Sequence, residues 1–328
     1  MMKIALRITV LAGVFACSLP AYAQFAETWV SHNGNDANVC NTETTPCRTL
    51  AGALSMTLVG GQINVLDAGD FGVVNIGQSV SIVNAISGTA TMIPPVPQLS
   101  QISRGGPNAE INITAGANGV VTLRGLTLNA VNSSIGVLIN NASQVNIENC
   151  LIMNQNAGGI EVIPSTDGQS QTLASSFNIE IQDSTITGNA GGIKIAPTTA
   201  TPINVIIDKT RINNNTGGGL KADGTSGGPI TVSISDSTIS LNAGNGVNAV
   251  GPSNNVIINL NNDVIASNGD SGIQANGANA AVVVNNTSIL DNTVGDTASV
   301  SGGRVLTYGN NRIIGNVGSG FTGTLSPQ

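Results

Sequence analysis

The chain has 328 residues, of which 9% are charged and 2% aromatic, and its 18 acidic side chains outnumber 11 basic ones. That balance lacks the basic footprint that nucleic acid or an anionic membrane requires, so neither is an expected partner. Gly, Asn, Thr, Ser, Ile and Val stand where a helical bundle would carry Leu, Glu, Lys and Ala, a composition that suits short strands joined by tight turns.

Residues 1–23 read as a secretory signal. Lys3 and Arg7 precede an apolar run from Ile8 to Cys17, and Ala21-Tyr22-Ala23 is an Ala-x-Ala cleavage site, so the expected cut follows Ala23. The run is shorter than the roughly 20 residues that span a bilayer, and no later segment is long and apolar enough for a membrane helix. Val14-Phe15-Ala16-Cys17 is also a crude lipobox that would make Cys17 a lipidated N-terminus, but Phe15 is bulky for that motif. The expected location is secreted or periplasmic, with no membrane insertion.

Residues 24–60 read as an N-terminal cap. Cys40 and Cys47 flank Pro46, and export favours a local disulfide between them. Two free thiols or half of a metal site are the alternatives. A zinc site would be hard to complete with His32 as the sole histidine and no second Cys pair. Thr49, followed by Leu50, Ala53 and Leu54 at helical spacing, predicts a short helix over 49–56 that plugs the first coil of a repeat region starting at residue 61. His32 and Asp36 are expected to hold a turn in the cap.

From residue 61 to 328 one phrase recurs: an apolar strand, a polar pair, one aliphatic residue, a turn with Asn, then Gly and a second aliphatic strand. Its turn asparagines are Asn132, Asn156, Asn189, Asn215, Asn242, Asn268, Asn292 and Asn316, spaced by 24, 33, 26, 27, 26, 24 and 24 residues. Self-similarity at this period means a solenoid. Within each repeat the apolar residues alternate, as in Asn178-Ile179-Glu180-Ile181, so the elements are strands and the fold is all-β. Coils of 24–27 residues with three strands each make a single right-handed parallel β-helix, stacked about 4.8 Å apart.

Stacking turns the repeats into columns. Leu128, Ile152, Ile186, Ile212, Ile239, Ile265, Ile289 and Ile313 form an aliphatic core file. Two residues earlier runs a small polar file of Cys150, Ser184, Thr210, Ser237, Asp263, Thr287 and Asn311, in which Cys150 reads as a buried, inert thiol. The Asn column itself is expected to be an amide ladder whose members tolerate the left-handed backbone region. The long step holds an insertion over 165–176, expected to project as a loop, and 86–119 is a second irregular segment containing Arg104 near Arg124.

Two columns carry chemistry. The first contains Asn149, Asp183, Lys209, Asp236, Asn262 and Asn286, with Asp208 and Arg211 close by. Asp183 and Asp236 could hold calcium, which acidifies the proton α to a uronate carboxylate, and Lys209 or Arg211 could remove that proton. The alternative is a surface ladder in which Lys209 keeps like charges apart. The second column contains Glu161, Lys194 and Lys221. It is either a salt-bridged edge or a place where Lys194 and Lys221, with Asp208 as a further binding candidate, contact an anionic sugar.

A family resemblance rests on the N-terminal motifs. Thr28-Trp29-Val30-Ser31, Gly34-Asn35-Asp36, Cys40 and Pro46-Cys47-Arg48-Thr49-Leu50, followed by Gly60-Gly61-Gln62-Ile63-Asn64-Val65-Leu66-Asp67, resemble the opening of secreted bacterial right-handed parallel β-helix proteins of the pectin lyase-like superfamily. That superfamily hosts lyases, hydrolases, esterases, adhesins and tail spikes, so the resemblance implies a fold and no single activity. No two aspartates are adjacent and no Gly-His-Gly occurs, which argues against a polygalacturonase-like hydrolase. The sole tryptophan, Trp29, does not stand in the Gly-Arg-Pro-Trp segment of pectin methylesterases. The few aromatics form no column that could serve as a stacking platform for neutral sugars.

The sequence therefore points to an exported β-helix without a recognisable catalytic set, made for surface or glycan binding, adhesion or envelope structure. The alternative is a polysaccharide lyase acting on an acidic polysaccharide by calcium-assisted β-elimination. An acidic polysaccharide or cell-surface glycan is the expected partner, and no cofactor is expected apart from calcium in the lyase case.

Overall fold

The computed structural model describes residues 24–85, 109–129, 135–165, 172–315 and 318–326. The signal segment, Asn132, Asn316, Arg104 and residues 166–171 of the 165–176 insertion lie outside the described residues.

The cap begins with the strand Phe25–Val30, which pairs in parallel with Thr57–Val65. Between them, Cys40 and Cys47 are disulfide-bonded with a Cα–Cα distance of 5.1 Å. The expected helix forms as Leu50–Met56, because the Thr49 hydroxyl accepts the Gly52 amide N–H as an N-cap, and Leu50 and Ala53 face inward. Asp36 ties this corner together: one of its carboxylate oxygens accepts the Arg48 and Thr49 amides and the other accepts the Thr49 hydroxyl.

From Thr57 on, the chain winds as a parallel β-solenoid. Each coil has three faces. Face A carries the longer strands, among them Phe177–Gln182, Ile203–Asp208, Ile230–Ser235 and Val256–Asn261. Face B carries three-residue strands such as Thr185–Thr187 and Thr238–Ser240, and its ladder is eight strands deep. Face C carries Gly158–Val162, Ile193–Ile195, Leu220–Asp223 and Val247–Val250. Every strand pairs in parallel with its counterpart one coil on, as in Ile186↔Ile212 and Ile193↔Leu220. In the earlier coils, Ala109–Arg124 and Ile135–Glu148 turn the corner from face C to face A as single strands.

The interior is the expected aliphatic file. Ile152, Ile186, Ile212, Ile239, Ile265 and Ile289 are fully buried, and each contributes roughly 1.5–3 kcal/mol. From Cys150 to Thr287 the small polar file is buried as well, and it has a backbone task. The Cys150 amide donates to Ser184 Oγ, Ser184 to Thr210, Thr210 to Ser237, Ser237 to Asp263, Asp263 to Thr287 and Thr287 to Asn311. Each side-chain oxygen thus caps a turn amide of the preceding coil. Burial pushes the Cys150 thiol up to about 11, which keeps it protonated and inert.

At the turn between faces B and C, Asn189, Asn215, Asn242, Asn268 and Asn292 form the amide ladder. Each Nδ2 donates to Oδ1 of the next, at 3.1, 2.8, 3.0 and 2.9 Å, and the last donates to Asp296 at 2.9 Å. The same Oδ1 accepts the backbone amide of the preceding member, as Asn215 does from Asn189 at 3.0 Å. Two expectations are corrected. In the coil before Asn189 the ladder position belongs to Gln155, whose amide donates to Asn189 Oδ1, while Asn156 is exposed. The left-handed residue is the one preceding each ladder member: Asn154, Gly188, Asn214, Leu241, Ser267 and Asp291 have φ of 60, 67, 54, 57, 55 and 51°. Those turns need a positive φ to reverse the chain, which leaves the ladder residue free to point inward.

The ladder and the polar file each allow a stability test. Asn242→Ala strips the partners from Asn215 and from the backbone inside a dry turn, so it should cost about 3 kcal/mol in a denaturant titration, whereas exposed Asn255→Ala should stay within about 0.5 kcal/mol. Equal shifts would remove the ladder from its structural role.

The second test concerns buried Asp263, whose carboxyl burial raises to about 7. With the folded value above the unfolded one, the folded state binds the extra proton, so this group's contribution falls as pH rises from about 4 to about 7. Asp263→Ser, the residue at that position one coil earlier, should therefore gain about 1–3 kcal/mol relative to wild type between pH 4.5 and 8. A difference that stays flat with pH would exclude a buried titrating carboxyl.

Candidate functional site

The first candidate column lies on the turn from face A to face B, and its backbone explains its composition. Asn149, Asp183, Lys209, Asp236, Asn262 and Asn286 all have left-handed φ, of 50, 50, 46, 50, 61 and 46°. Asn and Asp are the non-glycine residues that visit this region at least cost, so Asp183 and Asp236 have a conformational reason to be there. Lys209 is the exception in the column. Its Nζ meets Asp208 Oδ2 at 3.1 Å, and Asp208 Oδ1 accepts the Ser235 hydroxyl at 2.7 Å.

That hydrogen bond from Ser235, aided by Lys209, holds the Asp208 carboxyl below the usual range against a small desolvation penalty. The hydrogen bond to Asp208 and its charge, with Asp183 and Asp236 adding to them, push the Lys209 ammonium up. A lysine that serves as a general base needs the opposite shift. Arg211 is exposed at the start of the face B strand Arg211–Asn213, between Thr185 and Thr238. Asp236 accepts the side-chain amide of Asn262, and among the described residues no group of three or more His, Cys, Asp or Glu gathers where a metal could be held.

The second column lies elsewhere, on face C. Register places Leu138, Glu161, Lys194, Lys221, Asn248 and Gln274 on successive coils. A groove of about 260 Å³ runs beside Glu161, Lys194, Lys221 and Asn248, and Gly158, Gly191, Gly218 and Asn245 lie along its other side. The Glu161 side chain is only 9% exposed and meets Lys194 Nζ at 3.3 Å; Lys194 itself is 48% exposed. Lys221 is 47% exposed and meets Asp223 Oδ2 at 2.9 Å. Two half-exposed ammonium groups on neighbouring coils therefore border a concave surface floored by glycine, each steadied by one carboxylate. The arrangement can take an anionic or hydroxyl-rich ligand by charge-assisted hydrogen bonds.

The sequence-predicted residues thus divide. Lys194 and Lys221 share the groove, while Asp208 ends a face A strand and Asp183, Lys209, Arg211 and Asp236 belong to the face A–B turn or the start of face B. Sequence reasoning missed Gly158, Gly191, Gly218, Asn245 and Asn248. The available signal was the doubled glycine at the entry to three successive face C strands (Gly158-Gly159, Gly191-Gly192, Gly218-Gly219), since one glycine per turn would satisfy a close approach.

Comparison with known proteins agrees with this architecture. The family model described as the right handed beta helix region matches residues 172–326. The crystal structure of pectate lyase Pel9A superposes with a TM-score of 0.63 at 13% identity, covering 92% of this chain and 78% of that one. A GH136 lacto-N-biosidase from Eubacterium ramulus gives 0.48 at 10% identity, covering 92% and 67%. A rhamnogalacturonan lyase gives 0.42 at 10% identity, covering 82% and 75%. No curated protein matches the sequence. At 13% identity the likeness to Pel9A shows the fold alone, in agreement with the right-handed β-helix of the family model.

The two lysine pairs differ in burial, and that difference is measurable. Lys194→Met leaves the Glu161 carboxylate shut in without its partner and should cost about 1–2 kcal/mol in unfolding free energy. Lys209→Met, at a solvated turn, should leave the denaturant midpoint where it is. A reversed order would overturn the assignment of the buried pair.

Proposed function

We propose, for this right-handed parallel β-helix of pectin lyase-like type, that it is an exported glycan-binding protein without catalytic activity, and that its face C groove takes an acidic polysaccharide through Lys194 and Lys221. The observation that carries this reading is the pair of half-exposed ammonium groups in register on adjacent coils, facing a groove whose other side is mostly glycine. The cap disulfide suits an oxidising compartment, in line with a signal over 1–23.

Charge sets the strength of binding. Each lysine already has a carboxylate partner, so the groove is neutral before a ligand arrives. A ligand carboxylate gains only what an exposed pair is worth, about 0–1 kcal/mol per contact. Single contacts are then weak, and useful affinity comes from a polymer touching many sites. Binding should weaken as salt rises.

The lyase alternative, with Lys209 or Arg211 removing a proton beside calcium at Asp183 and Asp236, has the stacking of those residues on adjacent coils in its favour. Their environment fits it poorly. The Lys209 ammonium is stabilised, Asp236 is already engaged by Asn262, and no third carboxylate completes a cation site among the described residues.

Binding of polygalacturonate to the mature protein, followed by biolayer interferometry, should fall at least tenfold in Lys194→Ala/Lys221→Ala and be lost by 0.5 M salt. Wild-type affinity in the double variant would sink the groove assignment. In the same samples, absorbance at the unsaturated-uronate band should stay flat with calcium or chelator. A calcium-dependent rise abolished by Lys209→Ala would replace this reading with the lyase.

A further inference from the structure

An inner column of glycines, Gly136, Gly159, Gly192, Gly219, Gly246 and Gly272, lies against the amide ladder on successive coils. A Cβ on Gly219 would stand 2.6 Å from Ile239 Cγ2 and 2.9 Å from Asn242 Nδ2, so only glycine fits. One coil before Gly136 the same position is held by Glu110. Its side chain is buried and reaches the first amide of the ladder, where Gln155 Nε2 donates to Glu110 Oε1 at 2.8 Å.

This pair leaves one atom over on each side. Glu110 Oε2 and Gln155 Oε1 are both shut from solvent, and neither makes a hydrogen bond among the described residues. From Asn189 onward every ladder oxygen has a donor from the coil before it, as Asn215 Oδ1 has from Asn189. Gln155 begins the ladder and turns its Nε2 back to the carboxyl instead. Two acceptors cannot satisfy each other, and each buried one is costly while it lacks a donor. A single proton removes both faults: on Oε2 it makes Glu110 a donor, and the existing bond already holds the carboxyl against the amide. Asp296, at the far end, also has a buried unpaired oxygen, but Asn292 brings no second one to it.

The surroundings favour the neutral acid. Burial pushes the Glu110 carboxyl up to about 7 against the hydrogen bond from Gln155, and the charge of Asp70 adds to the rise. Asp70 lies on the preceding coil, where the Arg48 guanidinium donates to the Asp70 backbone carbonyl. On the next two coils the facing positions are Gly136 and Gly159, and Glu161 beyond them is paired with Lys194.

We propose that this end of the ladder is a proton-operated latch: neutral Glu110 donates from Oε2 to Gln155 Oε1 while Gln155 Nε2 donates back to Glu110 Oε1, and loss of the proton frees the Gln155–Gly158 turn. Ala157 and Gly158 of that turn line the face C groove, so the latch holds one end of the groove in place. Below neutrality it is shut. Above neutrality Glu110 is a carboxylate facing the Gln155 oxygen, with Asp70 nearby, and the two acceptors separate. The inference does not depend on what the groove binds.

The test is amide hydrogen exchange on the full mature protein from about pH 5.5 to about 8.5, wild type against Glu110→Gln, a variant that cannot ionise and still offers Gln155 a donor. The Asn215 amide, which donates to Asn242 Oδ1 at 3.1 Å in the middle of the ladder, serves as the internal reference. In wild type, protection of the Gln155 and Gly159 amides relative to Asn215 should fall at least tenfold across that range. In Glu110→Gln the ratio should stay constant, at the value wild type has at the acid end. Infrared difference spectra at the acid end should show the carbonyl stretch of a protonated carboxylic acid in wild type that Glu110→Gln lacks. A wild-type ratio that does not change with pH, a variant that titrates as wild type does, or the absence of that infrared band would each overturn the latch.

Discussion

A primary amide has two N–H donors and an oxygen that can accept twice, and a turn buried between stacked coils must satisfy every polar group without water. The column from Asn189 to Asn292 does both. Each member between the two ends donates once to the next amide and once to a backbone carbonyl, as Asn215 does to Asn242 and Ile186, and accepts one side-chain and one backbone N–H. Only a side chain of this length and valence can repeat that pattern coil after coil. The ladder runs in one direction, so it must end on an acceptor. It ends on the Asp296 carboxylate, while at the other end Gln155 donates to Glu110.

The rest of the coil is arranged around that column. The inner glycines exist because the amides fill the space a Cβ would need. Register places Glu110 and Asp296 in that same glycine column at its two ends, where the ladder gives way to a carboxylate. The second buried file, from Cys150 to Thr287, does the same work at the face A–B turn by linking backbone groups, as when Ser184 Oγ accepts the Cys150 amide and donates to the Gln182 carbonyl. Burial raises the carboxyls of Glu110 and Asp263, each to about 7, which is the electrostatic cost of using an acid where an amide or hydroxyl would serve.

With the interior set by these files, the outer surface is free to vary, and chemistry is found where it varies. The face A–B turn uses Asp183 and Asp236 for backbone reasons, and its one lysine is neutralised by its own neighbour Asp208. Face C is different: two lysines stand side by side, and Glu161 is buried beside them. Backbone conformation separates structure from candidate function here more sharply than charge alone, since both columns contain a carboxylate and a lysine.

The solenoid, its strand period, its core isoleucines, the small polar file and the cap helix could all be read from the sequence, because each depends on local periodicity that repeats every coil. The choice of Gln155 over Asn156 could not, since one residue of slip at a turn leaves the linear pattern almost unchanged while exchanging a buried amide for an exposed one. The two charged columns were legible as separate places in the repeat, but not that Asp208 belongs with Lys209 alone. Lys194 and Lys209 are close in sequence, but the turn from face C to face A and the Ile203–Asp208 strand between them carry them to different sides of the coil. Whether a glycine is needed or merely present is decided by what lies across from it in the next coil, and that contact exists only once the chain is wound.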